Sequence, residues 1–307
     1  MELIRGWGGL SPSGAGRAVT IGAYDGIHLG HRALLERLAD HARQRGIPSA
    51  VLTFEPTPRE FFAPQQPPAR LTSLRERWRL LQPLGLDSLW LLRFDEALRN
   101  LPAEAFAQML VRNLAARVVV VGHDFRFGKN GEATAPVLAA AGKRLGFEVE
   151  VLAPVQLEGE RISSSGVRAA LAASDFARAA RWLGRPWCMC GRVRAGQRLG
   201  RDLGFPTANL LPQRRRAPVA GIFAVRVHGI GAAALPGVAS LGTRPTLAGT
   251  HSLLEAHVFD FAGDLYGREL AVEFVAKLRD EVKFATLAAL TAQMHEDAAQ
   301  ARRILKV

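Results

Sequence analysis

The segment Gly22-Ala23-Tyr24-Asp25-Gly26-Ile27-His28-Leu29-Gly30-His31 follows an apolar, β-branched run and leads into an amphipathic one. Its residue types suit an anion. Glycines let a backbone turn tightly at the carboxyl end of a strand, where open α/β sheets bind ligands, and a helix that follows offers free N–H groups. His28 and His31, three apart, can turn both imidazoles to one side and donate to phosphate oxygens; the same spacing fits a pair of capping or surface histidines. Arg161-Ile162-Ser163-Ser164-Ser165-Gly166-Val167-Arg168 has the form of a second loop running into a helix. Its three hydroxyls can cap that helix or bind phosphate, with Arg161 and Arg168 as fixed positive charges; a serine cap beside solvated arginines is the other reading. Taken together, the two segments lead us to expect a triphosphate held between two helix N-termini.

A third segment, Gly200-Arg201-Asp202-Leu203-Gly204-Phe205-Pro206-Thr207-Ala208-Asn209, is glycine-rich but lacks the Gly-Lys-Ser/Thr ending of a Walker A loop. Thr207 and Asn209 are oxygen donors spaced to share one strand face, which suits a hard cation such as Mg²⁺; a β-turn with a polar strand edge fits them equally. Cys188 and Cys190 are the two cysteines of the chain, too close for an ordinary disulfide and without the second pair of a zinc site, so a reduced pair is expected.

The elements that must position these residues fall into two patterns. Up to residue 186, β-rich runs (18–23, 50–54, 88–94, 117–122 and 148–153) alternate with helical periodicity (33–45, 73–84, 102–114 and 135–145), the signature of a parallel sheet. Two more helices are expected after Ser163, separated by the N-cap pair Ser174-Asp175. From residue 187 the runs 221–228, 253–261 and 269–278 alternate with period two and are broken by Gly and Pro, which reads as an antiparallel sheet or small barrel closed by a helix over 286–305. Two domains, 1–186 and 187–307, are therefore expected from 307 residues.

Composition narrows the function classes. With 48% hydrophobic residues, 22% charged residues and no run near the roughly 18 apolar residues of a membrane helix, the expectation is a cytoplasmic protein with no membrane role. The net charge of +12 asks for polyanionic partners, and 35 of the 40 basic residues are Arg, whose planar fork grips phosphate. Thirteen basic and two acidic residues lie between Arg161 and Arg226, so the excess is one strip around the serine and glycine motifs. Arg214 to Arg216 have no assigned role in it.

These motifs resemble, nearly end to end, the bacterial bifunctional riboflavin kinase/FMN adenylyltransferase family, also called FAD synthetase. The resemblance implies a Rossmann-like α/β HxGH nucleotidylyltransferase domain followed by an antiparallel β-barrel riboflavin kinase domain with a C-terminal helix. It implies that Gly22 to His31, Thr53-Phe54-Glu55-Pro56, Gly122 to Gly128 and Ile162 to Arg168 line an ATP and FMN pocket. In it Gly22, Asp25, Gly26, Gly30, Arg161 and Arg168 bind ATP or FMN, the catalytic His28 and His31 meet the ATP phosphates, and Ser163, Ser164 and Ser165 meet the triphosphate. Asp124 lies near the flavin and adenine. Gly200 to Asn209 looks like the PTAN motif of riboflavin kinases, in which Thr207 and Asn209 bind MgATP, the glycines Gly200 and Gly204 form a flap over the nucleotide, and Arg201 and Pro206 are further ATP- or riboflavin-binding residues. Gly242 to Thr246, Leu254 to His257, Asp264 to Gly267 and Leu278 to Glu281 match as well, with Arg279 among the binding residues and Glu255 as catalytic base. Glu255 shares a strand face with Leu253 and His257, which without the resemblance reads as a surface carboxylate. The substrates implied are riboflavin, FMN and ATP, with FAD and pyrophosphate as products and Mg²⁺ as cofactor.

Four positions depart from the family pattern: Ala23 and Ser240 where asparagine is usual, Thr57 where histidine is usual, and a short Gly128-Lys129-Asn130-Gly131 loop. A basic RNA-binding module would need a lysine-rich signature and aromatic platforms, which 5 Lys and 2 Tyr do not offer. A flavin sensor with degenerate sites would bind flavin without turnover. The sequence leaves the oligomeric state open.

Overall fold

The computed structural model describes residues 1–7, 16–196, 200, 203–214, 216–246 and 249–307. The chain divides into two compact units, Met1–Pro68 with Arg77–Ser163, and Ala69–Glu76 with Ser164–Val307.

The first unit contains β1 (Glu2–Arg5), β2 (Arg17–Ile21), α1 (Leu29–Arg45), β3 (Ser49–Glu55) and α2 (Pro58–Phe62), then α3 (Leu74–Leu81), inside which the division falls. It continues with β4 (Ser88–Arg93), α4 (Glu96–Arg99), α5 (Ala103–Leu114), β5 (Ala116–Gly122), β6 (Arg126–Phe127), β7 (Ala133–Thr134), α6 (Ala135–Leu145), β8 (Glu148–Leu152), β9 (Gln156–Leu157) and β10 (Glu160–Arg161). Six strands form one parallel sheet in the order β1-β4-β3-β2-β5-β8. Its central strands are apolar on both faces because helices cover both. Val119 and Val121 pack with α5 and α6, whereas Val118 and Val120 pack with Leu35 and Leu38 of α1.

The expected strands and crossover helices are all present, with two differences in detail. Helix α1 begins at Leu29, four residues before its apolar periodicity does, because His28 is its N-cap. The stretch expected as one helix to Leu84 ends at Leu81 and tightens into a 3₁₀ turn, Gln82–Leu84, containing Pro83. Strand β1, which carried no sequence signal, pairs with the edge of the sheet at β4.

The second unit comprises α7 (Ser164–Ala172), α8 (Phe176–Leu183), β11 (Cys188–Arg194), β12 (Ala208–Leu210), β13 (Gly221–His228), β14 (Leu235–Thr246), β15 (Gly249–Val258), β16 (Glu269–Arg279) and α9 (Leu287–Leu305). The strands close an antiparallel barrel in the order β11-β12-β15-β14-β13-β16. Leu254, Ala256 and Val258 alternate inward along β15 and are buried, while Leu253, Glu255 and His257 are half-buried on its outer face. Helix α9, capped by Thr286 Oγ1, sets Ala301 and Leu305 against Ala224 and Phe259.

The compact units part at Ser163 rather than at the expected residue 186. Helices α7 and α8 belong with the barrel, since the ring of Phe176 lies 6.1 Å from Phe274 and 6.0 Å from Phe223. A change in strand patterning at residue 187 marks where the barrel strands begin, but helices do not reveal by periodicity which sheet they cover. No helix among the described residues is long and apolar enough to cross a membrane.

Candidate active sites

In the first unit the loop after β2 turns through three left-handed residues, Tyr24 (φ 49°), Gly26 (φ 92°) and Ile27 (φ 45°). A β-branched side chain there is unfavourable. Burial compensates: Ile27 and Tyr24 are almost wholly enclosed, and the Tyr24 hydroxyl meets Thr20 Oγ1 at 2.6 Å. Burial holds the Tyr24 phenol well above the usual tyrosine range, the Thr20 hydrogen bond opposing it only in part. The turn ends at His28, whose extended backbone caps α1 and whose Nδ1 accepts from the His31 N–H at 3.2 Å. The two imidazoles stack at 3.7 Å and 14°. A Cβ on Gly30 would lie 3.2 Å from the His28 ring, and one on Gly22 3.1 Å from the Tyr24 ring, so both glycines leave room for a specific neighbouring ring. Asp25 and His28 are buried.

An arginine that no motif marked holds this loop. Arg77, with its side chain 1% exposed, donates to the Ala23 carbonyl at 2.9 Å, to Thr53 Oγ1 at 3.1 Å and to Glu55 Oε2 at 2.7 Å. It thus ties the Gly22–His31 loop to Thr53 and Glu55, and the peptide between Glu55 and Pro56 is cis. Ala23 serves through its carbonyl, which also accepts from Thr53 Oγ1 at 3.3 Å, a role open to any residue. Thr57 donates its N–H and hydroxyl to Glu60 at 2.9 Å each, fixing the start of α2. The short Lys129–Gly131 segment is a 3₁₀ turn following Gly128 at φ 78°. Asp124 and Arg161 form an ion pair at 2.5 Å, half exposed on both sides.

Ser163 ends the first unit, while Ser164, Ser165 and Arg168 stand on the first turns of α7 in the second. Arg168 Nε donates to the Ala69 carbonyl at 2.6 Å. Gly166 permits α8 to approach, since its Cβ would stand 2.2 Å from the Trp182 ring.

The second constellation lies on the outer face of the barrel. Strand register sets five side chains in one row across five neighbouring strands: Asn209 opposite Glu255, Glu255 opposite Ser240, Ser240 opposite Ile222, and Ile222 opposite Arg279. All five line one cavity of about 240 Å³, together with Gly200, Phe205, Thr207 and His257 and, from α9, Leu290, Met294 and Asp297. Glu255 is therefore a cavity carboxylate, not a solvated strand residue. Arg279 is gripped side-on by Asp297, with Nε–Oδ1 at 2.9 Å and Nη2–Oδ2 at 2.7 Å, a bidentate pair that fixes the guanidinium plane. The Asn209 amide donates to the Thr207 carbonyl at 3.3 Å. It lies so close over Gly196 that a Cβ there would come within 2.6 Å. Gly200 is similarly pressed, its Cβ position lying 2.4 Å from the Phe205 carbonyl. The Pro206 carbonyl accepts from His257 Nδ1–H at 2.9 Å, and Gly204 turns at φ 82°. Arg201 lies outside the described residues, as do the side chains of Thr243 to Thr246. Ser240, one of the four positions that depart from the pattern of the resembled family, stands directly beside Glu255.

Sequence reasoning missed Arg77, Gly196 and Asp297. The glycine and Arg77 carry no motif of their own. Asp297 had a signal, an acidic residue within the otherwise apolar helical stripe of α9, where it is 5% exposed.

A family model described as FAD synthetase matches residues 11–166, and one described as riboflavin kinase matches residues 183–305. The bifunctional riboflavin kinase/FMN adenylyltransferase of Escherichia coli K12 is 45% identical over 304 residues, 98% of this chain and 97% of that one. That of Pseudomonas fluorescens is 46% identical over 306 residues, covering 99% and 98%. Among solved structures, one described as a macrolide-efflux protein from Streptococcus pneumoniae superposes with TM-score 0.77 at 29% identity over 98% of this chain and 99% of that one. The chain belongs to the bifunctional riboflavin kinase/FMN adenylyltransferase family.

Proposed function

We propose that the chain makes FAD from riboflavin in two ATP-dependent steps, phosphorylation to FMN in the barrel unit and adenylylation of FMN in the sheet unit. The activities follow from family membership; the residue roles are those the resemblance implies, and the geometry described above supports them.

For the first step, Glu255 accepts the proton of the riboflavin 5′-hydroxyl as its oxygen attacks the γ-phosphorus of ATP and the bond to the β-phosphate oxygen breaks. The observation that carries this reading is the strand register that sets Glu255 between Asn209 and Ser240 on the cavity wall. Arg279, fixed by Asp297, supplies positive charge at the far end of the row. Thr207 and Asn209 offer neutral oxygens, and no group of three His, Cys, Asp or Glu side chains among the described residues could hold a metal. That donor set fits Mg²⁺ held chiefly by the nucleotide's phosphates, with Thr207 and Asn209 as its protein partners. Bound there, Mg²⁺ would neutralise charge developing on the phosphate oxygens.

For the second step, the FMN phosphate is itself the nucleophile, anionic at neutral pH because its second pKa is about 6. It attacks the α-phosphorus of ATP and pyrophosphate leaves, so neither a base nor a covalent nucleophile is needed; positioning and charge stabilisation suffice. Since His28 Nδ1 accepts a main-chain N–H, the neutral ring carries its proton on Nε2 and presents a donor there. We assign His28 and His31 to the ATP phosphates, aided by Gly22, Asp25, Gly26 and Gly30 of the loop, with Asp124, Arg161 and Ser163 of the same unit as further binding residues. The partners are small molecules, and the reduced thiols of Cys188 and Cys190 fit a reducing cytoplasm.

The decisive experiment incubates the protein with riboflavin and MgATP and resolves FMN and FAD over time. FMN should appear first and FAD follow. Flavin binding without either product would overturn the reading in favour of a sensor.

A further inference from the structure

The second unit carries another concavity, a groove of about 680 Å³ that shares no lining residue with the kinase cavity. Arg75, Arg192, Arg194 and Arg214 line it, with Ser252 and Gln213, and its described lining contains neither a carboxylate nor an aromatic ring. Four guanidinium groups around one groove repel one another unless something anionic lies among them.

Two of the four are accounted for. Arg214 is fully enclosed, ion-paired with buried Glu76, and donates to the Arg70 and Leu71 carbonyls at 3.2 Å each. Arg75 lies 3.3 Å from Glu269 while remaining half exposed. Arg192, which stands opposite Glu269 in the β11–β16 register, and Arg194 are exposed and make no ion pair among the described residues. Ser252 adds an independent signal. It is 2% exposed, lines the groove, and its Oγ has no hydrogen-bond partner among the described residues. A buried hydroxyl without a partner is costly, and a ligand oxygen in the groove would satisfy it.

We propose that this groove binds an oligophosphate anion. Its volume is within the range of small-molecule sites, and guanidinium forks match phosphate oxygens in pairs. The absence of an aromatic ring in the lining gives a nucleobase or flavin nothing to stack on, so the oligophosphate itself is what the groove recognises. Inorganic pyrophosphate and the polyphosphate tail of a nucleotide share this chemistry. The inference also accounts for part of the basic strip that the two ATP sites leave over, since Arg192, Arg194 and Arg214 all lie within it.

The test titrates the full-length protein calorimetrically with inorganic pyrophosphate without Mg²⁺. Because pyrophosphate is also a product at the adenylyltransferase site, the readout is the difference between wild type and the R75E/R192E variant. The variant should bind one equivalent fewer while keeping its rates of FMN and FAD formation. The milder Arg192→Ala, which removes one exposed side chain, should weaken that same site roughly tenfold. Equal stoichiometry and affinity in all three proteins would overturn the proposal. A parallel titration with a β,γ-imido analogue of ATP separates the sources: an isotherm unchanged by R75E/R192E identifies free oligophosphate, and loss of one equivalent identifies the nucleotide tail.

Discussion

His28 Nδ1 accepts the main-chain N–H of His31 at 3.2 Å while the two rings stack at 3.7 Å. One imidazole is thereby a helix cap whose neutral form carries its proton on Nε2, so the capping and phosphate-binding readings of the sequence are compatible. Replacing His28 by alanine removes both, and FAD formation from FMN should be lost while FMN formation from riboflavin continues. Resolving both flavins over time checks the split.

Gly30 keeps the space that the His28 ring uses, a Cβ there lying 3.2 Å from it. Gly30→Ala should displace the ring without deleting it. Misplacement of this kind costs catalysis about 100-fold. The expected result is a fall of that order in kcat for adenylylation, with riboflavin phosphorylation unchanged.

Glu255→Gln keeps the size and hydrogen-bonding capacity of the side chain but removes the proton acceptor. Phosphorylation of riboflavin should fall by a factor of about 10² to 10⁴, the usual worth of a general base, while riboflavin binding followed by flavin fluorescence persists. Supplied FMN should still be converted to FAD.

Gly196→Ala would bring a methyl group within 2.6 Å of the Asn209 amide. Asn209 must then move, and the kinase KM for ATP should rise severalfold with kcat less affected. Steady-state kinetics of FMN formation at varied MgATP gives the two parameters separately.

Burial, more than its neighbours, pushes the Cys188 thiol up to about 12. Below that pH the sulfur remains protonated and a weak nucleophile, so at pH 8 Cys188 should be alkylated far more slowly than an ordinary thiol near 8.5. Peptide mass spectrometry after timed iodoacetamide treatment should show modification appearing only as the pH is raised, or on unfolding.

Much of this was legible in the sequence. The strand and helix runs of the first unit rest on local periodicity, which survives packing, and the His28, Ser163 and Thr207 segments were visible as motifs. The exceptions have a common physical origin. Arg77, Gly196 and Asp297 act through contacts with residues 13 to 54 positions away in the chain, which no local pattern encodes. The assignment of α7 and α8 to the barrel unit likewise depends on where Phe176 finds its partners. Arg214, an unexplained member of an arginine run in the sequence, proved to be a buried partner of Glu76.

The row from Asn209 to Arg279 makes the alignment of the kinase site a property of the whole barrel wall. Side chains on a strand alternate between faces, so a one-residue insertion or deletion in β12, β13, β14, β15 or β16 would turn its contribution into the barrel interior. No single strand can drift in sequence length without losing its place in the row. A length change that leaves the row intact must fall in the connections between strands, so the chemistry of this unit depends on a frame that spans 71 residues, from Asn209 to Arg279.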